Sequence, residues 1–487
     1  MAASLSPVTA LITKPENSEH LDEKPMNIVF VGGGSFRTLP IMRSVMAEGA
    51  LLRGGRVWLV DFNLERAEAV GRMIMRTPEF ADSGCEIRWT DQVELALPGA
   101  DVVSVSMPVG SQRVCRLSEQ ACLAHGLFGS DQISVSGAFR AVTGGSIIWD
   151  LARRMEKHCP QAWLVDFANP VAVYSGMVNN HTRIRALGVC GGFTNHRADL
   201  MRLIFDKDET SEDFKVAVAG VNHLSFILRG TYRGEDLYPL IDASISRPGW
   251  QPCRIPANPK GEPSMRFGLA KLAECRRRFG TTIFSTEGDG MTHLFFEEMR
   301  EMELQSKETW DTARIQAWEA ELAANRRKAD AEFRAHLDRE LDAAFWAQDA
   351  LQNPWFAASH DSTAIVLKAL GGQRQWLAAS FPNRGAVRGF KDRTVLEYSM
   401  HLDKDGVHPD PDLEVPDCFH GLISALATHQ TLLGDAIAAR DPKLFAAALF
   451  AYPLHQNTRE TKALWRDLLE IHAAEMPAEF QMAKKYF

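Results

Sequence analysis

The sequence predicts an α/β protein: a doubly wound parallel sheet followed by a mixed α+β, largely helical domain. Three observations carry this. Short apolar runs alternate with helical patterns from Met26 to about Cys190. A glycine triplet stands where the first apolar run meets the first helix. After about Phe214 the register changes, and stretches rich in Ala, Glu, Arg and Lys follow.

The first strand is Met26-Asn-Ile-Val-Phe-Val-Gly32, a buried run ending in glycine, with a helix running to about Leu52. Arg56–Asp61 is the second strand and Glu65–Met75 the next helix. Glu86–Trp89, Ala100–Met107, Ala162–Phe167 and Arg185–Cys190 read as further strands, with helices at Val114–Ala124 and Gly145–His158 between them. Lys215–Ala219 and Leu224–Leu228 look like strands of a different, mixed or antiparallel sheet. Glu298–Phe345 should be long helix with a solvated charged face. Ala364–Leu370 and Phe419–Phe450 are also helical, so the C-terminal half is mostly α. Pro248–Pro263 reads as a surface loop. The division is a loose polar arm over 1–25, a dinucleotide-type domain over 26–212 and a second domain over 213–487.

The chain has 487 residues, and 54 Lys+Arg against 62 Asp+Glu give a formal charge of −8. Hydrophobic residues make up 45%, enough for a large core, which excludes a mainly disordered chain. The acidic balance, without a long basic block, argues against nucleic acid as the main ligand. No apolar stretch is long enough to span a membrane. The eight cysteines form no CxxC pair, so free thiols and a cytoplasmic location are expected.

Gly32-Gly33-Gly34-Ser35-Phe36-Arg37 occupies the first strand–helix junction. Glycine lets backbone approach a pyrophosphate, and the helix end supplies N–H groups and a positive dipole end. Arg37 takes the place of the usual third spaced glycine. Asp61 ends the second strand, where a carboxylate accepts both ribose hydroxyls and repels a 2′-phosphate. Together these predict a Rossmann-type site that prefers NAD to NADP, with Met107 on the nicotinamide side.

Several polar residues follow predicted strand ends: Asn169, Cys190, Asn195-His196 and Asn222-His223. A thiolate and an imidazole can hold a divalent transition metal. By spacing alone, a core thiol and a hydrogen-bonded histidine are the simpler reading. Ser285–Glu297 gathers three carboxylates and His293, which suits acid–base work and equally suits a turn before a capped helix.

Taken together, these residues resemble the NAD-dependent glycoside hydrolases of family 4 and their sister families. Val31–Ser35 is similar to the cofactor loop, and Gly126–Arg140 with Thr143-Gly-Gly145 to the segment after the fourth strand. Trp163–Val171 resembles the W-L-x-N-x-T-N-P block. Gly188-Val-Cys190 and Gly220–His223 match the metal-ligand pair, and Gly288-Asp289…His293…Glu297 the G-D-x-H-x-x-E segment. Phe381–Gly385, Gly406–Pro409 and Asp441–Pro453 echo the C-terminal blocks.

The resemblance implies hydrolysis through transient oxidation at sugar carbon 3, proton abstraction at carbon 2, elimination from carbon 1 and water addition. It implies NAD held by Gly32–Phe36, Asp61, Met107 and Asn169. It also implies a divalent metal, manganese first, on Cys190 and His223. Asp289 is the expected carbon 2 base, with His293 in support. Asn169, Arg113, Asn222, His223 and Asn383 are expected around the sugar.

Three departures stand out. Gly191 replaces the His, Asp or Asn that commonly follows the metal cysteine, leaving Asn195 or His196 as acid candidates. Ile283–His293 lacks the tyrosine that many members use as base. The P-S-P-Y-type segment of the phosphoglycoside branch is missing. The expected substrate is therefore a non-phosphorylated hexoside with an anionic carbon 6. A sulfoquinovoside is favoured, then a galacturonide or glucuronide, read by some of Arg37, Arg113, Arg140 and Arg197. Family habit implies a homodimer or homotetramer. The rival readings are an NAD-dependent dehydrogenase of the lactate/malate type and a non-catalytic sensor.

Overall fold

The computed structural model describes residues 25–190, 192–209, 211–252, 262–306, 312–337, 345, 362–454 and 458–487. The polar arm therefore lies almost wholly outside the described residues, as does most of the Pro248–Pro263 loop.

The N-terminal strands are β1 (Ile28–Val31), β2 (Arg56–Val60), β3 (Glu86–Thr90), β4 (Val102–Val105), β5 (Trp163–Asp166) and β6 (Arg185–Gly188). They pair in parallel in the order β3-β2-β1-β4-β5-β6. Every residue of β4 and β5 is buried, as strands covered by helices on both faces require. The order reverses between β1 and β4, which places a ligand crevice outside their carboxyl ends.

Several of the helices between them start on side-chain caps. Asn63, Ser111 and Ser134 accept hydrogen bonds from the backbone N–H groups of Arg66, Val114 and Gly137. The helix after β4 spans Gln112–Ala124, and the next spans Val135–His158, longer at its N-terminus than the pattern suggested.

The second region differs from expectation in two ways. First, its strands do not form a separate sheet. β7 (Phe214–Val221) and β8 (Leu224–Tyr232), with β9 (Glu235–Asp236) and β10 (Thr282–Ile283), join the same 13-stranded sheet. Second, the C-terminal half contributes β11 (Gln375–Pro382), β12 (Val395–Asp403) and β13 (Gly406–Pro409). β11 lies antiparallel to β6 through Ser380 and Gly188, and β12 lies antiparallel to β7, so one sheet runs through both regions. Of the expected long charged helix, the described residues show Phe296–Ser306 and Thr312–Leu337 as helix. C-terminal helices Asp417–Ala439, Pro442–Ala451 and Arg459–His472 complete the α-rich part. No described helix is long and apolar enough to cross a membrane. The described cysteines are unbonded.

Candidate active site

The cofactor end is built where β1 and β4 part. Gly32 has φ +89°, and a Cβ there would fall 2.5 Å from the Ser106 carbonyl oxygen. A Cβ on Gly34 would fall 2.9 Å from Asp61 Oδ2. The triplet is thus wedged between the ends of β4 and β2, with Met107 beside Gly32. The backbone N–H of Gly34 donates to Asp61 Oδ2 at 2.9 Å, and that of Asn63 donates to Oδ1 at 2.9 Å. Ser35 and Phe36 lead into helix Thr38–Met46, whose first turn carries no acidic residue. Its positive end is therefore uncompensated and suits an anionic group. Arg37, exposed at the N-cap, adds no side-chain cap. A carboxylate held by two backbone amides next to that end fits the ribose and pyrophosphate of a dinucleotide.

The reacting end converges from three parts of the chain. Cys190 follows β6, His223 sits in the two-residue turn joining β7 to β8, and Asp289 lies in the short helix Gly288–Met291. Cys190 Sγ stands 3.4 Å from His223 Nε2. His223 Nδ1 donates to Asp289 Oδ1 at 2.7 Å. Burial alone would lower the imidazole, but the Asp289 carboxylate overrides it and holds His223 well above the usual histidine range. Burial pulls Asp289 upward, yet the His223 charge and hydrogen bond, with the Ser130 hydroxyl, hold it below the usual carboxylate range.

Among the described residues no three His, Cys, Asp or Glu side chains form a metal cage. The pair Cys190–His223 nonetheless fits as a two-donor site. Two ligands sharing one ion at ordinary bond lengths sit about 3.1–3.6 Å apart. The imidazole's other nitrogen is fixed by a carboxylate, as a metal-binding histidine's normally is. Substrate oxygens would have to complete the shell.

Next to this pair lies a cavity of about 360 Å³, lined by Cys115, Arg116, Ser130, Asp131, Arg140, His223, Glu287 and Asp289 among others. Asn169 connects to its wall: its Nδ2 donates to Asp131 at 2.9 Å, and its Oδ1 accepts from Gln132 Nε2 at 2.6 Å. Arg140 meets the Cys115 thiol. Arg116 donates to Glu119 at 2.7 Å and lies over the Trp318 ring.

Other expected residues lie elsewhere. Asn383 is fully buried, and its amide holds its own loop, donating to the Val387 and Phe390 carbonyls and accepting from Val387 N–H. Both amide hydrogens are spent inside the loop, and at 0% exposure the remaining lone pair is out of a sugar's reach. Asn222 turns its amide to Glu397 at 2.7 Å. Arg113 pairs with Glu319 at 3.2 Å, and Arg197 lies over the Trp376 ring. His196 is buried against Phe284, with Asp199 3.8 Å away. His293 is half-buried and donates to the Asp289 carbonyl, and desolvation pushes its pKa down to about 4. The side chain of Asn195 lies outside the described residues.

Asp289, the expected carbon 2 base, is heavily hydrogen-bonded. Oδ1 accepts from His223 and Gly290 N–H; Oδ2 accepts from Ser130 Oγ–H at 2.8 Å and Ile133 N–H at 3.3 Å. A buried carboxylate with each oxygen doubly engaged and a depressed pKa is a poor proton acceptor. Its Oδ1 tethers the His223 ring through Nδ1. Sequence reasoning missed Glu287, Arg116 and Cys115. Glu287 lines the cavity, and among the described residues its carboxylate makes no hydrogen bond or ion pair. Its place beside Asp289 in the polar segment was the available signal.

Comparison with known proteins places this geometry in a family. The profile described as family 4 glycosyl hydrolase matches residues 27–204, and that of its C-terminal domain matches 218–455. A probable 6-phospho-β-glucosidase of Bacillus subtilis is 23% identical, over 94% of this chain and 98% of its own. An α-galacturonidase of Thermoanaerobacter italicus is 24% identical, over 91% and 96%. A crystal structure of a 6-phospho-α-glucosidase from gut microorganisms, in complex with NAD and Mn2+, shares the fold. Its TM-score is 0.75 at 18% identity, over 93% of this chain and 99% of that one. With both halves of the chain matched in order, the protein belongs to family 4 of the glycosyl hydrolases.

Proposed function

We propose that this glycosidase cleaves its substrate by transient oxidation at sugar carbon 3, with NAD as resident catalyst, and that the substrate is a non-phosphorylated hexoside with an anionic carbon 6. The observation that carries the reading is a thiol and a carboxylate-oriented imidazole beside a cavity with two guanidinium groups. NAD supplies a hydride acceptor that makes a ketone of one ring alcohol, and a divalent ion at Cys190 and His223 supplies positive charge to the sugar oxygens. A C–H bond next to a ring alcohol is too weakly acidic to ionise, whereas one next to a carbonyl can.

The chain's own residues divide the remaining work. Gly32–Phe36 and Asp61 bind and orient the dinucleotide. Asp289 and Ser130 fix the His223 ring. Glu287 is the cavity carboxylate left to accept the carbon 2 proton. Asp131, held by Asn169, is placed to accept sugar hydroxyls. Arg116 and Arg140 face the anionic end of the sugar. The two named relatives support an anionic carbon 6, since a galacturonide and a 6-phosphoglucoside both carry a negative group there. The absence of a phosphoglycoside-type segment favours a sulfonate or a carboxylate over a phosphate, with a sulfoquinovoside first. A dimeric or tetrameric, cytoplasmic enzyme is part of the same reading.

A panel of sulfoquinovoside, galacturonide, glucuronide, 6-phosphoglucoside and neutral glycosides, assayed with NAD+ and Mn2+, tests the substrate class. Cleavage confined to the sulfonate or carboxylate members is the expected result. Preference for the phosphorylated or neutral members would contradict it.

A further inference from the structure

The turn that carries His223 is unusual. β7 and β8 pair up to Val221 and Leu224, so Asn222 and His223 alone make the loop. His223 has φ +67°, a left-handed conformation that is costly for a side chain with a Cβ and that glycine normally fills. Something must hold it there.

One clamp comes from the segment after β10. A Cβ on Gly290 would fall 1.7 Å from the His223 carbonyl oxygen, so glycine backbone packs directly on the turn. The other clamp comes from β12. Glu397 is 7% exposed and lies opposite Gly220 in the β7–β12 register. Its Oε2 accepts from Asn222 Nδ2 at 2.7 Å, and its Oε1 accepts from Ser225 Oγ at 3.0 Å. Among the described residues no Lys, Arg or His pairs with it. A carboxylate buried without a cation is expensive to keep. This one grips the residues on both sides of the left-handed histidine. Asn222 Oδ1, buried and without a partner, gives that amide no second tether.

We propose that Glu397 is a positioning residue for the metal-binding site: it locks the Asn222–His223 turn so that Nε2 faces Cys190. This rests on the reading of Cys190 and His223 as metal ligands.

Co2+ is the probe, because a bound cobalt–thiolate gives a near-ultraviolet charge-transfer band. Co2+ affinity and the band are measured on the full chain, with NAD+ affinity by calorimetry as a control at the far end of the crevice. Glu397→Ala is expected to weaken Co2+ binding by about 10–100-fold, with NAD+ affinity nearly unchanged. Glu397→Gln is expected to keep most of the affinity. Its carbonyl still accepts from Ser225, and its NH2 can donate to a turned Asn222 amide. If the alanine variant does not fold, Ser225→Ala, which removes one anchor, is expected to cost a few-fold. Wild-type Co2+ affinity in Glu397→Ala, or in Ser225→Ala where that variant stands in, would overturn the inference. So would an equal loss of Co2+ and NAD+ affinity, which would mark Glu397 as general fold support. A wild-type protein that gives no cobalt–thiolate band would overturn the metal reading itself and the inference with it.

Discussion

His223 Nδ1 and Asp289 Oδ1 stand 2.7 Å apart, both side chains buried, with Cys190 Sγ on the other side of the same ring. The contact fixes which nitrogen is tethered and which is offered to a ligand. Asp289→Asn keeps the shape and removes the charge. It is expected to lower divalent-ion affinity by about 10–100-fold, measured by titration calorimetry with Mn2+. Unchanged affinity would separate Asp289 from the site.

Asp61 gives a second, independent handle. Its carboxylate is held by the amides of Gly34 and Asn63 next to an uncompensated helix end. Asp61→Ala is expected to weaken NAD+ binding by about 1–3 kcal/mol, the usual scale for losing a charged hydrogen-bond partner. It should also narrow the preference over NADP+. Calorimetry with both dinucleotides reads each effect, and equal binding to wild type and variant would count against the site.

Glu287 separates the two carboxylates of the polar segment. Glu287→Gln is expected to lower kcat by about 100-fold or more while leaving Mn2+ and NAD+ affinities in place. If Glu287→Gln turns over normally, the proton acceptor lies elsewhere in the cavity.

Acid stability follows from two neutral histidines, His472 buried and His293 half-buried. His472 sits between the hydroxyls of Ser118 and Thr143, and burial, with the nearby Arg140 charge, pushes its pKa down to about 3. His293 is pushed down to about 4. Both folded values lie below the unfolded value of about 6.5. The unfolded chain therefore binds protons first, and stability is lost as pH falls from about 6.5 toward the folded values. The slope is up to about 1.4 kcal/mol per pH unit for each histidine. Urea unfolding between about pH 7 and pH 5 reads it. His472→Gln should flatten the slope, and an unchanged slope would refute the assignment.

The parts of the molecule legible in the sequence were those written locally. Gly32–Gly34 and Asp61 announce themselves because one strand–turn–helix–strand unit contains the whole dinucleotide cradle. Cys190 and His223 each follow a strand, and the sheet brings strand ends to one edge. β11 and β12 were not legible: their alternation is blurred by Ala378-Ala379, Ser380 and Pro382 in one and Glu397 and Ser399 in the other. They become strands because β6 and β7 offer free edges. Arg116, Arg140 and Glu287 reach one cavity from three distant segments, which no spacing announces. Asn383 misled because a loop-tying asparagine and a sugar-binding one look alike in sequence.

The most direct measurement of the central claim, a hydride withdrawn and returned during cleavage, uses protein stripped of nicotinamide. An aryl hexoside with an anionic carbon 6 is incubated in deuterated water, with and without added NAD+. The expected result is no cleavage without NAD+, and with it cleavage that leaves deuterium at carbon 2 of the released sugar and no net NADH. Full-speed cleavage by the stripped protein, with no deuterium at that carbon, would contradict the account.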